Sequence, residues 1–130
     1  MKTSSLIGVQ LDYWVAKAEG WIETRSDRCK WRLWDTGAGF YRIEGAVGDA
    51  GDERWRPSTY WGHGGPIIER ERIGIIPFGP DGLWLGSMPG DVDYYIGADG
   101  ADGKLGPTPL VAAMRAYVAS KFGEEVVDNP

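Results

Sequence analysis

One cysteine and one histidine in 130 residues leave this chain short of the side chains on which much enzyme and metal chemistry depends. With Cys29 alone no intrachain disulfide can form, and a reducing compartment is the expectation. A structural zinc site needs four Cys or His ligands, and neither it nor a three-histidine catalytic site can be built from Cys29 and His63. Neither a metal nor another cofactor is therefore expected. No apolar run approaches the roughly 18–20 residues that span a bilayer, and Met1–Ile7 lacks the apolar core of a signal peptide. These absences point to a soluble cytoplasmic protein with no membrane partner. Positive charge is also scarce, since 14 Lys and Arg face 19 Asp and Glu for a net charge of −5. A general nucleic-acid-binding surface, which draws its affinity from neutralising phosphates, is disfavoured. The one basic cluster, Arg25, Arg28, Lys30 and Arg32, is interrupted by Asp27 and reads as a solvated strand face.

What the chain has in excess is glycine and tryptophan, 20 and 7 respectively. Glycine at about twice its usual share implies many turns, and so many large rings must be either buried or used in recognition. The length fits one domain over residues 1–130 with a single core.

The periodicity predicts an α+β fold. Leu11, Trp14, Val15 and Ala18 form one stripe of a helix over Leu6–Gly20, with Asp12 off the stripe and Gly20 placed to stop it. Alternation from Cys29 to Trp34, a turn over Asp35–Gly39 and the run Phe40–Glu44 predict a hairpin, in which Trp34 shares a face with charged residues. Ser58 or Thr59 reads as the N-cap of a second helix with Trp61, Gly64, Gly65, Ile68 and Arg72 on one face, which Pro66 should either kink or restart. Gly62, Gly64 and Gly65 would let a neighbouring element or a ligand approach closely. Ile73–Ile76 and Leu83–Leu85 predict a second hairpin, with Asp93–Ile96 as its third strand. Thr108 as N-cap and Pro109 at the first helical position start a last helix whose apolar residues run from Leu110 to Phe122, with Arg115 and Lys121 off that face and Gly123 after its end. The expected architecture is one antiparallel sheet of about four to six strands covered by two or three helices.

Several familiar motifs fail on inspection. Leu85 stands where the first glycine of a nucleophile elbow around Ser87 would be needed. Ala98 and Leu105 occupy the glycine and Ser/Thr positions that a phosphate loop ending at Gly103-Lys104 would require. The carboxylates Asp91, Asp93, Asp99 and Asp102 lack the glycine and closing glutamate of a calcium loop. Glu69 and Glu71, two apart on a helix, point to different faces and do not form an acid/base pair. His63, between two glycines, reads as structural or solvent-facing, or as part of a site.

Three segments, Leu11–Gly20, Pro57–Glu71 and Gly106–Gly123, resemble in order and spacing those of the phage NinX family. Tyr60, Gly62 and His63 depart from that family's usual residues. The resemblance implies a phage or prophage gene expressed in the cytoplasm of a bacterial host, and it supplies no catalytic residues. Two functional classes follow. The first is a non-enzymatic binding module for a host protein or a small, nucleotide-like ligand, using Ser58, Thr59, Trp61, His63 and Arg115 as polar and stacking contacts. The second is a small hydrolase using His63 with a carboxylate. An exposed ring such as Trp34, or an open sheet edge, would favour a homodimer.

Overall fold

The computed structural model describes residues 1–25, 32–45, 53–90 and 103–127. Within them the chain forms helices α1 (Gly8–Ala18), α2 (Trp61–Glu71) and α3 (Pro109–Phe122), and strands β1 (Ile22–Arg25), β2 (Arg32–Asp35), β3 (Phe40–Arg42), β4 (Gly74–Phe78), β5 (Leu83–Ser87) and β6 (Lys104–Gly106). The α+β class is as expected, but the strands do not join into one sheet. They form two three-stranded antiparallel sheets, ordered β1-β2-β3 and β4-β5-β6. The cause is visible at β3, whose outer edge is taken by the chain itself: Arg42 donates to the Glu53 carbonyl and accepts from the Trp55 N–H, a parallel bridge to residues 53–55. At the other sheet β4 is an outer strand and carries Pro77, which has no N–H to offer a further neighbour.

Both predicted hairpins form, with Trp34 opposite Tyr41 in one and Ile76 opposite Leu85 in the other. The third strand of the second sheet is β6, and the segment expected for that place, 93–96, lies outside the described residues. So do most of the acidic loop after Gly45 and the carboxylates at 91–102.

Helix α3 forms as its sequence dictates. Thr108 Oγ1 accepts the Val111 N–H at 3.1 Å, Pro109 opens the helix, and Gly123 ends it at φ 85°. Its Leu110–Met114 and Ala116–Val118 residues are all buried, because α3 lies over the β4-β5-β6 sheet and also meets α1 and α2. The approach to the sheet is closest at glycine. A methyl group on Gly86 would overlap the Ala112 carbonyl, and one on Gly106 would lie 2.6 Å from the Ala112 nitrogen.

Trp14 is buried as expected, and Trp21 and Trp84 are half-buried. Trp31 lies outside the described residues. Trp34, which its alternation had placed with charged residues, is fully buried and packs on the Tyr13 ring at 5.0 Å. Its face does point inward, and the charge on it is neutralised at the margin: Arg32 pairs with Glu23, whose other oxygen accepts the Tyr13 hydroxyl at 3.3 Å. The Arg32 hydrogen bond holds the Glu23 carboxyl below its ordinary pKa. Trp55 is also buried, edge-on to Trp21. With Trp34 in the core, its exposure no longer supports a homodimer.

The chain's first residues are tied to the segment after α3. The Met1 amino group donates to the Val126 carbonyl at 2.9 Å, Lys2 bridges Glu125, and the Thr3 hydroxyl donates to the Gly123 carbonyl at 2.8 Å. Thr3 and Leu6 are fully buried by this clasp. Among the described residues no helix is long and apolar enough to cross a membrane.

Candidate functional site

Helix α2 begins later than its sequence predicts. Neither Ser58 nor Thr59 caps it; Tyr60 is the N-cap and no side chain bonds there. Residues 57–59 instead form a turn whose Tyr60 and Thr59 N–H groups donate to the Arg56 carbonyl, at 2.9 and 3.2 Å. The helix then runs unbroken from Trp61 through Pro66 to Glu71. Its buried face is His63, Gly64 and Ile67, which leaves Trp61 outside with 55% of its surface exposed. Gly64 is where close approach is needed, since a methyl group there would lie 2.5 Å from the Pro57 carbonyl oxygen and 2.6 Å from Leu110.

Two buried polar side chains hold the 56–60 turn. Asp12, which the helical stripe had put on the outer side of α1, is 2% exposed, and its Oδ1 accepts the Ser58 N–H at 2.9 Å. Burial raises its carboxyl to about 6, while the Ser58 side chain and N–H, Arg54 and Arg56 favour the charged form. The Ser58 hydroxyl, itself buried, faces that carboxylate without reaching regular hydrogen-bond geometry.

His63 is the second support. Of the structural and solvent-facing alternatives it is the structural one: the ring is buried, stacked on Trp55 at 4.8 Å and met edge-on by Tyr41 and Tyr60. Its Nδ1 accepts the Arg56 N–H at 3.1 Å, so the ring proton belongs on Nε2, which donates to Glu53 Oε1 at 2.9 Å. Burial lowers its pKa against the opposing pull of Glu53, and the ring is neutral at pH 7. A carboxylate does stand beside His63, but both ring nitrogens are occupied, and neither is left to take a proton from a substrate. His63 acts as a positioning residue for the turn. Replacing it with alanine is expected to leave the Arg56 N–H unpaired and a void beside Trp55, lowering stability by about 2–3 kcal/mol in urea denaturation.

Trp61, Ser58 and Thr59 line one cleft of about 380 Å³, opposite Ile7 and Gly8 at the start of α1 and residues 107–111 at the start of α3. Three helix beginnings converge on it, and those of α1 and α2 have no side-chain cap. Arg115, expected at the same site, lines a neighbouring pocket of about 350 Å³ with Ser4, Gly103, Lys104 and Leu105; Pro107 belongs to both. Its Nε donates to the Leu6 carbonyl at 2.8 Å and its Nη1 to the Leu105 carbonyl at 2.9 Å. The structure thus brings Ser58, Thr59 and Trp61 together, sets Arg115 next door, and puts His63 behind the turn, in neither pocket.

Asp12 is the residue that sequence reasoning missed. Its partner Ser58 is 46 positions away, and the only signal was an acidic residue amid Leu11, Tyr13 and Trp14, all of which are buried. Among the described residues no group of three or more His, Cys, Asp or Glu side chains could hold a metal ion.

Among known protein families, the one described as Bacteriophage P22, NinX matches residues 2–121. No curated protein matches the chain. With that match spanning nearly its whole length, the chain belongs to the phage NinX family.

Proposed function

We propose that this NinX-family chain is a non-enzymatic binding module of the host-cell cytoplasm whose ligand is a small molecule with a flat apolar face, seated in the Trp61 cleft. One observation carries the reading: a tryptophan with more than half of its surface exposed stands at the wall of a cleft on which the beginnings of three helices converge. A half-exposed ring forgoes much of the hydrophobic gain of burial, and a flat ligand stacked on it would recover that gain. The volume lies in the range of small-ligand sites, roughly 300–1,000 Å³. The Asp12 and His63 bonds hold the turn in place before any ligand arrives, which reduces the ordering cost of binding.

The test is a titration of ¹⁵N-labelled protein with a panel of nucleosides, nucleotides and aromatic acids. Binding is expected to shift the Trp61 indole and the Thr59 and Val111 amides together. Trp61→Ala is expected to abolish the effect while changing stability by no more than about 0.5 kcal/mol, as for an ordinary surface substitution. A panel that leaves the indole unmoved, with a host protein captured through the same face, would replace the small ligand by a protein partner.

A further inference from the structure

We propose that the pocket closed by Arg115 is the anion-binding half of the same site and takes a carboxylate or phosphate group of the small ligand. The inference rests on the reading of the Trp61 cleft given above and adds the ligand's charge. Arg32, Arg70 and Lys104 each hold a carboxylate, that of Glu23, Glu19 and Glu124 respectively, and the half-buried Arg54 and Arg56 lie in the field of the Asp12 carboxylate. Arg115 holds none among the described residues. Its hydrogen bonds among the described residues are to the Leu6 and Leu105 carbonyls, both neutral. A guanidinium has five N–H donors in a fixed planar fork, so donors remain unused at the wall of a pocket large enough for a tetrahedral or planar anion.

Those two carbonyl bonds fix the plane of the guanidinium, which lowers the entropy lost when an anion docks on its remaining edge. Burial without a counter-charge pulls the Arg115 pKa down, the direction expected of a cation whose partner must come from outside. Lys104 lines the same pocket, but its Nζ is engaged by Glu124 at 3.0 Å, so among the described residues Arg115 is the pocket's cation without a carboxylate. The pocket adjoins the cleft through Pro107, and Leu6, which Arg115 grips, immediately precedes Ile7 of the cleft wall. One molecule can therefore stack on Trp61 and reach Arg115.

The test uses the full chain with two probes, sodium phosphate and sodium acetate, each titrated at constant ionic strength and followed at the Arg115 Nε–H and the Leu105 and Gly106 amides. Saturable shifts are expected, and whichever anion saturates first identifies a phosphate or a carboxylate as the group accepted. Arg115→Gln is expected to weaken that binding about tenfold or more, as loss of a charge-assisted hydrogen bond should. Arg115→Lys, which keeps the charge, should retain part of it, and it carries the comparison if the glutamine variant does not fold. Shifts that rise linearly without saturating, or that persist unchanged in both variants, overturn the proposal. Neither probe touches Trp61. Anion binding without any aromatic binding would keep this pocket and sink the cleft reading, whereas the reverse result would sink this proposal alone.

Discussion

Replacing Gly86 with alanine is expected to lower the melting temperature by about 10 °C, corresponding to about 3 kcal/mol. The new methyl group would overlap the Ala112 carbonyl oxygen and lie 2.6 Å from its carbon and 2.9 Å from the Ala113 nitrogen. All three are backbone atoms of α3, so no side-chain rotation relieves the clash and the helix must lift from the sheet. Lifting α3 exposes the alanine row that the sheet covers and loosens its contacts with α1. Gly106→Ala, on the neighbouring strand, acts against the same turn of α3 and should change stability in the same direction. Gly39 supplies the control, since a methyl group there meets nothing within 4 Å. Calorimetry of the three variants decides the matter: equal losses for Gly86 and Gly39, or no loss at Gly86, would contradict this account of how α3 is seated.

A second large effect is expected at Asp12, where the sign depends on pH. Its carboxyl rises from an ordinary 3.8 to about 6 on folding, so the folded state binds the proton more tightly than the unfolded chain between those values. The favourable contribution of this group is complete below about pH 4 and lost as pH rises through about 6. At neutral pH the buried ion therefore costs about 3 kcal/mol relative to its protonated form. Asp12→Asn retains an oxygen acceptor for the Ser58 N–H and carries no charge. It should be more stable than the parent at pH 7 by up to that amount, with the difference vanishing towards about pH 4. His63 works in the opposite sense. Its lowered pKa means that stability present above the ordinary 6.5 is lost as pH falls, in parent and variant alike, so it cancels in the difference. Urea denaturation of both proteins at four pH values gives that difference directly, and a difference independent of pH would show that folding does not shift the Asp12 pKa.

The parts of the fold legible in the sequence are those fixed by neighbours along the chain. Thr108 and Pro109 announce the start of α3 because a cap and a pre-set φ act within three residues. The two hairpins were readable from the turns between them. What failed depended on residues far apart. Arg32 made the Trp34 face look solvated, and only Glu23, on a different strand, shows how that charge is tolerated at the edge of a core. The two-sheet arrangement depends on residues 53–55 covering β3, which no periodicity signals. His63 looked exposed between glycines, yet one of them, Gly64, belongs to a face pressed against Pro57 and Leu110. At the candidate site, Trp61 stands out in the sequence as a large ring beside three small residues, and it shares a cleft with Ser58 and Thr59. That Arg115 opens into a separate pocket, and that Asp12 supports Ser58, required the three-dimensional arrangement.

The clasp between Met1–Thr3 and residues 123–126 makes one wall of the two pockets depend on a closure distant in sequence. Ser4, Ile7 and Gly8 supply one wall of the two pockets, and that wall is gripped by Arg115 and anchored through Met1–Thr3 to residues 123–126. These contacts span up to 125 positions, the kind of long-range closure that comes late in folding. A folding intermediate that has its hairpins and α2 but not this closure would lack that wall, so the two pockets and the clasp are completed together.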